Sequence, residues 1–159
     1  MFQHTIQTTR NLAKGFYPIE LERGGFAMAL LDLAQRVTLQ TQVNCQFQNE
    51  ESFAISPDKE IHLYRIVQEA INNAIKHGKP RNILIECTSV NGISTLRVTD
   101  DGLGFKQPKT GEAGMGLHLF QYRARMVGAK IEVTTGDGGG CKVTCSMGYL
   151  PEERRAIGA

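Results

Sequence analysis

Residues 59–77 read KEIHLYRIVQEAINNAIKH, and the order of apolar and polar side chains in this stretch decides the fold. At the helical advance of about 100° per residue, Tyr64, Val67, Ile71, Ala74 and Ile75 gather on one side. Glu69, Asn73 and Lys76 fall within about 60° of one another on the other side, with His62, Arg65 and Asn72 close by. Ser56-Pro57-Asp58 offers a helix start and Gly78 with Pro80 a stop, so the pattern predicts a helix with one core face and one polar face.

Working outward, the apolar residues Phe26, Leu30, Leu31, Leu33 and Val37 recur at helical spacing and predict a second helix over 21–37. Val43, Cys45 and Phe47 alternate with polar residues, the signature of a half-buried strand, and a hairpin with residues 52–55 is expected. Past the central helix, alternation predicts strands over 82–88, 94–99, 130–135 and 141–147. A glycine-rich loop, 100–116, leads into a helix over 117–127 that Gly128 ends. A weak helix over 2–14 opens the chain and a polar tail, 151–159, closes it. Strands joined partly by hairpins and partly by helices imply an α+β fold: a two-layer α/β sandwich whose mixed sheet is covered on one face by helices.

At 159 residues one domain is expected, with a core large enough to need no staples. The apolar runs are far shorter than the roughly 20 residues of a spanning helix. A formal net charge of +2 with no basic stripe argues against a nucleic-acid partner. Cys45, Cys87, Cys141 and Cys145 form no metal or disulfide pattern, which favours reduced thiols and a cytoplasmic setting, any membrane tether lying in sequence beyond this chain.

Three motifs carry chemistry, and each has a plain alternative. Two successive Asn residues in mid-helix cost a few tenths of a kcal/mol each against Lys or Glu, which suggests a compensating role, although a polar face is most often simply solvated. Asp100-Asp101-Gly102-Leu103-Gly104-Phe105 follows an apolar strand; its glycines permit close approach and its carboxylate can accept from the amino group of a base, yet Asp-Gly is also ordinary turn chemistry. Gly114-Met115-Gly116-Leu117 opens a helix whose free N–H groups favour phosphate. Neither a Walker A loop nor a dinucleotide fingerprint occurs.

In this fixed order the motifs resemble the catalytic ATP-binding domain of two-component sensor histidine kinases, within a wider superfamily that includes gyrase and the MutL repair proteins. Leu63–His77 resembles the asparagine box, in a form similar to the nitrate and nitrite sensors; residues 100–105 resemble the first glycine box, 114–117 the second, and GGGCKVTC at 138–145 the closing strand. The resemblance spans residues 58–147 and implies the Bergerat ATP-binding fold, with ATP and Mg2+ as ligands. It implies that Glu69 is the catalytic residue assisting the attacking histidine and that Asn73 ligates the metal beside the nucleotide. It further implies that Lys76 neutralises phosphate, that His77 borders the nucleotide, and that Asp100 accepts from adenine with Gly102 and Gly104 giving the base room. Gly114, Met115, Gly116 and Leu117 would hold the phosphates, and residues 106–113 would form a lid.

The sequence departs from the family in two places. Cys141 stands where a threonine is usual, and no histidine with an adjacent acid is present; His4 is followed by Thr5. Residues 1–20 instead resemble the end of a dimerisation helix and its linker, leaving 21–150 as the ATP-binding domain and 151–159 as the tail. The resemblance thus implies a monomeric domain of a larger, homodimeric kinase. Its partners would be ATP, a histidine-bearing dimerisation domain and a response regulator downstream. Two alternatives stay open at this point: a serine kinase acting on an anti-sigma-factor partner, and a nucleotide-free interaction module of the same fold.

Overall fold

The computed structural model describes residues 18–104 and 115–148. Helix α1 runs Ile19–Gln40, strand β1 Asn44–Asn49 and helix α2 Pro57–Asn73, which continues into a π-helical turn, Ala74–Gly78. Strands β2 (Asn82–Val90) and β3 (Ile93–Asp100) follow, then helix α3 (Met115–Met126) and strands β4 (Lys130–Thr135) and β5 (Cys141–Gly148). The five strands form one sheet in the order β1-β2-β3-β5-β4, with β1 parallel to β2 and every other pair antiparallel.

Alternation along the strands decides which face is covered. Ile83, Ile85, Cys87, Leu96, Val98, Val143, Cys145 and Met147 are buried beneath the helices, whereas their neighbours Leu84, Glu86, Arg97, Thr99, Lys142 and Thr144 are only half-buried on the other face. The expected mixed sheet in a two-layer α+β sandwich is therefore present. α2 is central: it packs against α1, α3 and β3, while α1 also packs on β1 and α3 on β4. Tyr64 of α2 is completely buried and its hydroxyl accepts a hydrogen bond from Arg36 of α1 at 3.1 Å. Arg36 in turn reaches Glu20 and Asp32, each at 3.4 Å, so a buried phenol is satisfied by an ion-paired arginine.

Three expectations needed correction. Residues 52–55 form no strand and no hairpin with β1; β1 lies parallel to β2, with Cys45 opposite Ile83 and Phe47 opposite Ile85, and the chain crosses back through α2. The connecting segment is fastened otherwise: Phe53 stacks on Phe26 with ring centroids 6.1 Å apart, and Ser94 donates to the Ala54 carbonyl at 3.3 Å. Helix α1 is longer than expected and is interrupted at Gly25 (φ 79°, ψ −177°), a conformation open essentially to glycine alone. The central helix does not stay α-helical to His77; from Ala74 its turn widens to the π form and ends in the left-handed Lys79 (φ 48°) ahead of Pro80.

The β2–β3 hairpin is closed by Asn91 and Gly92, both at positive φ (52° and 79°), the two-residue turn whose twist matches its strands. The expected opening helix, His4, the lid and the tail lie outside the described residues.

Candidate functional site

The polar face of α2 is built by the same periodicity that builds the core. Leu63, Tyr64, Ile66, Val67, Ala70 and Ile71 are buried, and the turns between them present His62, Arg65, Glu69 and Asn73, all half-buried, with Asn72 exposed. Neither Glu69 nor Asn73 makes a side-chain hydrogen bond or ion pair among the described residues. Both are half-buried and lie a single turn apart, which leaves their polar atoms available to solvent or to a ligand. Lys76 and His77 are exposed on the widened turn that follows.

That turn delivers the chain to the next motif. The Leu103 N–H donates to the Gly78 carbonyl at 2.8 Å, so the end of the helix and the loop after β3 are one corner. Asp100, the last residue of β3, is 8% exposed, and its Oδ1 accepts from the Gly102 N–H at 2.8 Å. Asp101, its exposed neighbour, fastens the loop to β2 by accepting from the Arg81 N–H at 2.8 Å, the Asn82 N–H at 2.9 Å and the Asn82 side chain at 2.8 Å. Hydrogen bonds from the Asn82 backbone and side chain, together with that from Arg81, hold the Asp101 carboxyl below the usual carboxylate range. The sequence reading gave Asp101 no such role.

The glycines allow a close approach of backbone to backbone. A side chain on Gly102 would collide with the Gly78 carbonyl, and one on Gly104 (φ 89°) would stand 2.5 Å from the Gly139 oxygen. The space a Cβ would take is filled by neighbouring backbone, so glycine at these positions lets the loops close on Asp100. Gly140 repeats the pattern, since a side chain there would run into the Asp100 carbonyl.

On the other flank stands α3. Met115 and Gly116 form its first turn and Leu117 is half-buried there, while Gly114 lies outside the described residues. Because α3 packs along α2, its N-terminal N–H groups belong to the same layer as Glu69 and Asn73. Cys141 opens β5 next to Asp100; burial, with the Asp100 carboxylate adding to it, pushes its thiol up to about 11. Burial likewise raises Cys45 to about 11 and Cys87 and Cys145 to about 12, so all four thiols stay protonated near neutral pH.

These residues suit a nucleotide with its metal. Asp100 has one carboxylate oxygen committed to Gly102 and no other hydrogen-bond partner among the described residues, which leaves an acceptor for an amino group. No cluster of three His, Cys, Asp or Glu side chains able to hold a metal occurs among the described residues, so a cation at Asn73 would need phosphate oxygens to complete its shell. The sequence reading did not single out Arg123, whose Nη1 lies 3.5 Å from His62 Nδ1 between α3 and α2.

Comparison with known proteins agrees with this geometry. Residues 58–153 match the family described as Histidine kinase-, DNA gyrase B-, and HSP90-like ATPase. The chain is 30% identical over 137 residues to the sensor histidine kinase LiaS of Bacillus subtilis (strain 168), covering 86% of this chain and 38% of that protein. It is 28% identical over 135 residues to the nitrate/nitrite sensor protein NarQ of Escherichia coli (strain K12), covering 82% of this chain and 24% of that protein. The chain therefore spans well under half the length of these relatives. Among solved structures, the ATP binding domain of PrrB from Mycobacterium tuberculosis is similar at a TM-score of 0.63 and 20% identity, covering 76% of this chain and 91% of that one. The Erythrobacter litoralis EL346 blue-light activated histidine kinase gives a TM-score of 0.65 at 18% identity, covering 83% and 43%. At such identities the structural likeness speaks to the fold. Among the described residues no helix is long and apolar enough to cross a membrane. Because the family match runs from the first turn of α2 to beyond the end of β5, and so takes in every element that frames the Asp100 corner, this chain belongs to the histidine kinase-, DNA gyrase B- and HSP90-like ATPase family.

Proposed function

We propose that this domain binds Mg-ATP and serves as the catalytic domain of a sensor histidine kinase. The γ-phosphoryl would pass to a histidine on a dimerisation domain of the full-length protein and onward to a response regulator. The observation that carries this reading is Asp100: a nearly buried carboxylate at a strand end, with one oxygen tied to Gly102 and the other left to accept from the adenine amino group.

In this reading Asn73 is the metal-side residue of α2, and Mg2+, when bound with the nucleotide, supplies positive charge against the phosphate oxygens. Lys76 adds charge on the exposed turn, His77 borders the nucleotide, and Gly114, Met115, Gly116 and Leu117 offer the N–H groups of the α3 terminus to phosphate. Glu69, one turn before Asn73, accepts from the N–H of the attacking imidazole and fixes its orientation. Phosphoryl transfer of this kind needs positioning and charge neutralisation more than covalent chemistry, which suits a site of fixed backbone and few side chains. The four protonated, unpaired cysteines suit the cytoplasmic placement.

Calorimetric titration with a non-hydrolysable ATP analogue and Mg2+ tests the reading. Asp100→Asn keeps the hydrogen bond to Gly102 but replaces an acceptor oxygen with a donor, and is expected to lower affinity at least about 100-fold, by the cost of an unmatched buried polar pair. Asn73→Ala is expected to retain nucleotide while losing its Mg2+ dependence. Unchanged binding in Asp100→Asn would defeat the assignment.

A further inference from the structure

Beyond Glu69, away from Asn73, the seam between α2 and α3 carries positive charge. Arg123 of α3 sets its Nη1 3.5 Å from His62 Nδ1, and Arg65 stands close enough to disfavour the charged guanidinium. Arg123 is half-buried and forms no ion pair among the described residues. Burial, then Arg65, weakens its hold on its proton, with Tyr122 and Glu69 opposing; a guanidinium nevertheless remains charged at any ordinary pH. His62 is shifted below the usual imidazole range by burial and then by Arg123, so near neutral pH it is an uncharged acceptor for one Arg123 N–H. A partly desolvated guanidinium that has engaged one of its N–H groups, feels Glu69 only through space and forms no ion pair among the described residues holds unused capacity for an anion.

The place of this cluster indicates which anion. Along α2, Arg65 precedes Glu69 by about 6 Å of helix rise and His62 by about 10 Å, while Asn73 follows it by about 6 Å. Nucleotide phosphates at Asn73 and the α3 N-terminus lie on one side of Glu69, and the cationic seam lies on the other. A group bound at the seam therefore arrives with the acceptor rather than with the donor.

We propose that Arg123, steadied by His62 and with Arg65 beside it, is a receptor for a carboxylate carried by the protein segment that brings the acceptor histidine to Glu69. This rests on the phosphotransfer reading above. The carboxylate would sit one or two helical turns from the acceptor on its own segment, and its bidentate pairing with Arg123 would set the register in which the imidazole meets Glu69. Arg123 is then a positioning residue, acting on the approach of the acceptor.

The test uses the full-length protein, with Arg123→Gln and Arg123→Lys measured for autophosphorylation across ionic strength and for nucleotide affinity. Arg123→Gln is expected to slow autophosphorylation at least tenfold at low salt, to flatten its salt dependence and to leave nucleotide affinity within twofold. Arg123→Lys, which keeps the charge, should recover part of the rate. A glutamine variant within twofold of the parent rate, or one that loses nucleotide affinity in parallel, overturns the receptor. Should the glutamine variant not fold, the lysine variant decides: a partly retained rate with the parental salt dependence supports a charge receptor, and a rate lowered at least tenfold with a flattened salt dependence counts against it. Absence of phosphohistidine in the parent protein would defeat the phosphotransfer reading itself, an outcome separate from an indifferent Arg123.

Discussion

Helices α1 and α2 cover the same face of one sheet, yet they spend their residues differently. In α1 the buried Leu21, Phe26, Ala29, Leu30, Leu33 and Ala34 share the helix with Met28, Leu31 and Leu39, which are exposed, so apolar residues occur on both sides and Gly25 breaks the ladder. In α2 every large apolar residue is buried or half-buried, and the opposite side holds His62, Arg65, Glu69, Asn72 and Asn73. Packing alone accounts for α1. It does not account for consecutive asparagines in α2, which weaken the helix and find no partners among the described residues. The lesson is that a sharply divided helix, rather than merely an amphipathic one, marks where chemistry is done.

The largest test of this contrast is packing. Ile71→Ala, at a site 2% exposed, is expected to cost about 2–5 kcal/mol in denaturant unfolding. Leu39→Ala on α1, at a site 84% exposed, should stay within about 0.5 kcal/mol. Equal costs would mean that the outer side of α1 is covered in solution. A middle-sized effect should come from Gly25→Ala: no atom lies within 4 Å of the added Cβ, so only the backbone at φ 79° resists, at a cost of about 1–3 kcal/mol. A stabilised variant would show that α1 can run straight and that the break belongs to one of two states. The smallest effect is electrostatic. His62 has a folded pKa below the ordinary 6.5, so the unfolded chain binds the proton more readily. Its share of stability is complete above that value and is lost as pH falls from 6.5 toward the folded pKa; His62→Gln should flatten urea-midpoint curves in that window and leave them unchanged at pH 8.

Much of this was legible in the residues. Alternation predicts strands over 82–88, 94–99, 130–135 and 141–147, each within two residues of the observed ends, because one face of each is buried or partly buried by helices. Alternation fixes faces and is silent about partners, which is why β1 was expected to fold back on 52–55 when it pairs in parallel with β2. The π turn escaped because Ala74, Ile75 and Lys76 continue the helical period by residue type, and only the hydrogen-bond ladder reveals the extra width. The break at Gly25 is not visible in the sequence because a lone positive φ leaves no mark on the flanking apolar pattern. At the site, Asp100 and its glycines were visible as a motif. The work of the glycines was not, because contact between Gly102 and Gly78 joins segments far apart in sequence. Arg123 was missed for the same reason: its partner, His62, lies 61 residues away.

The Asn91-Gly92 turn has a consequence in time. The pairing of β2 with β3 falls within residues 82–100, so the hairpin closes with little loss of chain entropy, whereas β1 must wait for α2 to cross over and β5 must return past α3. A hairpin with such a turn forms in microseconds, well before the rest of a sheet of this connectivity can assemble. Asp100, the corner on which the nucleotide reading rests, is the last residue of that hairpin. Asp100 is therefore expected on a unit that can pair early, while the corner around it closes only when the loops at Gly78 and Gly140 arrive.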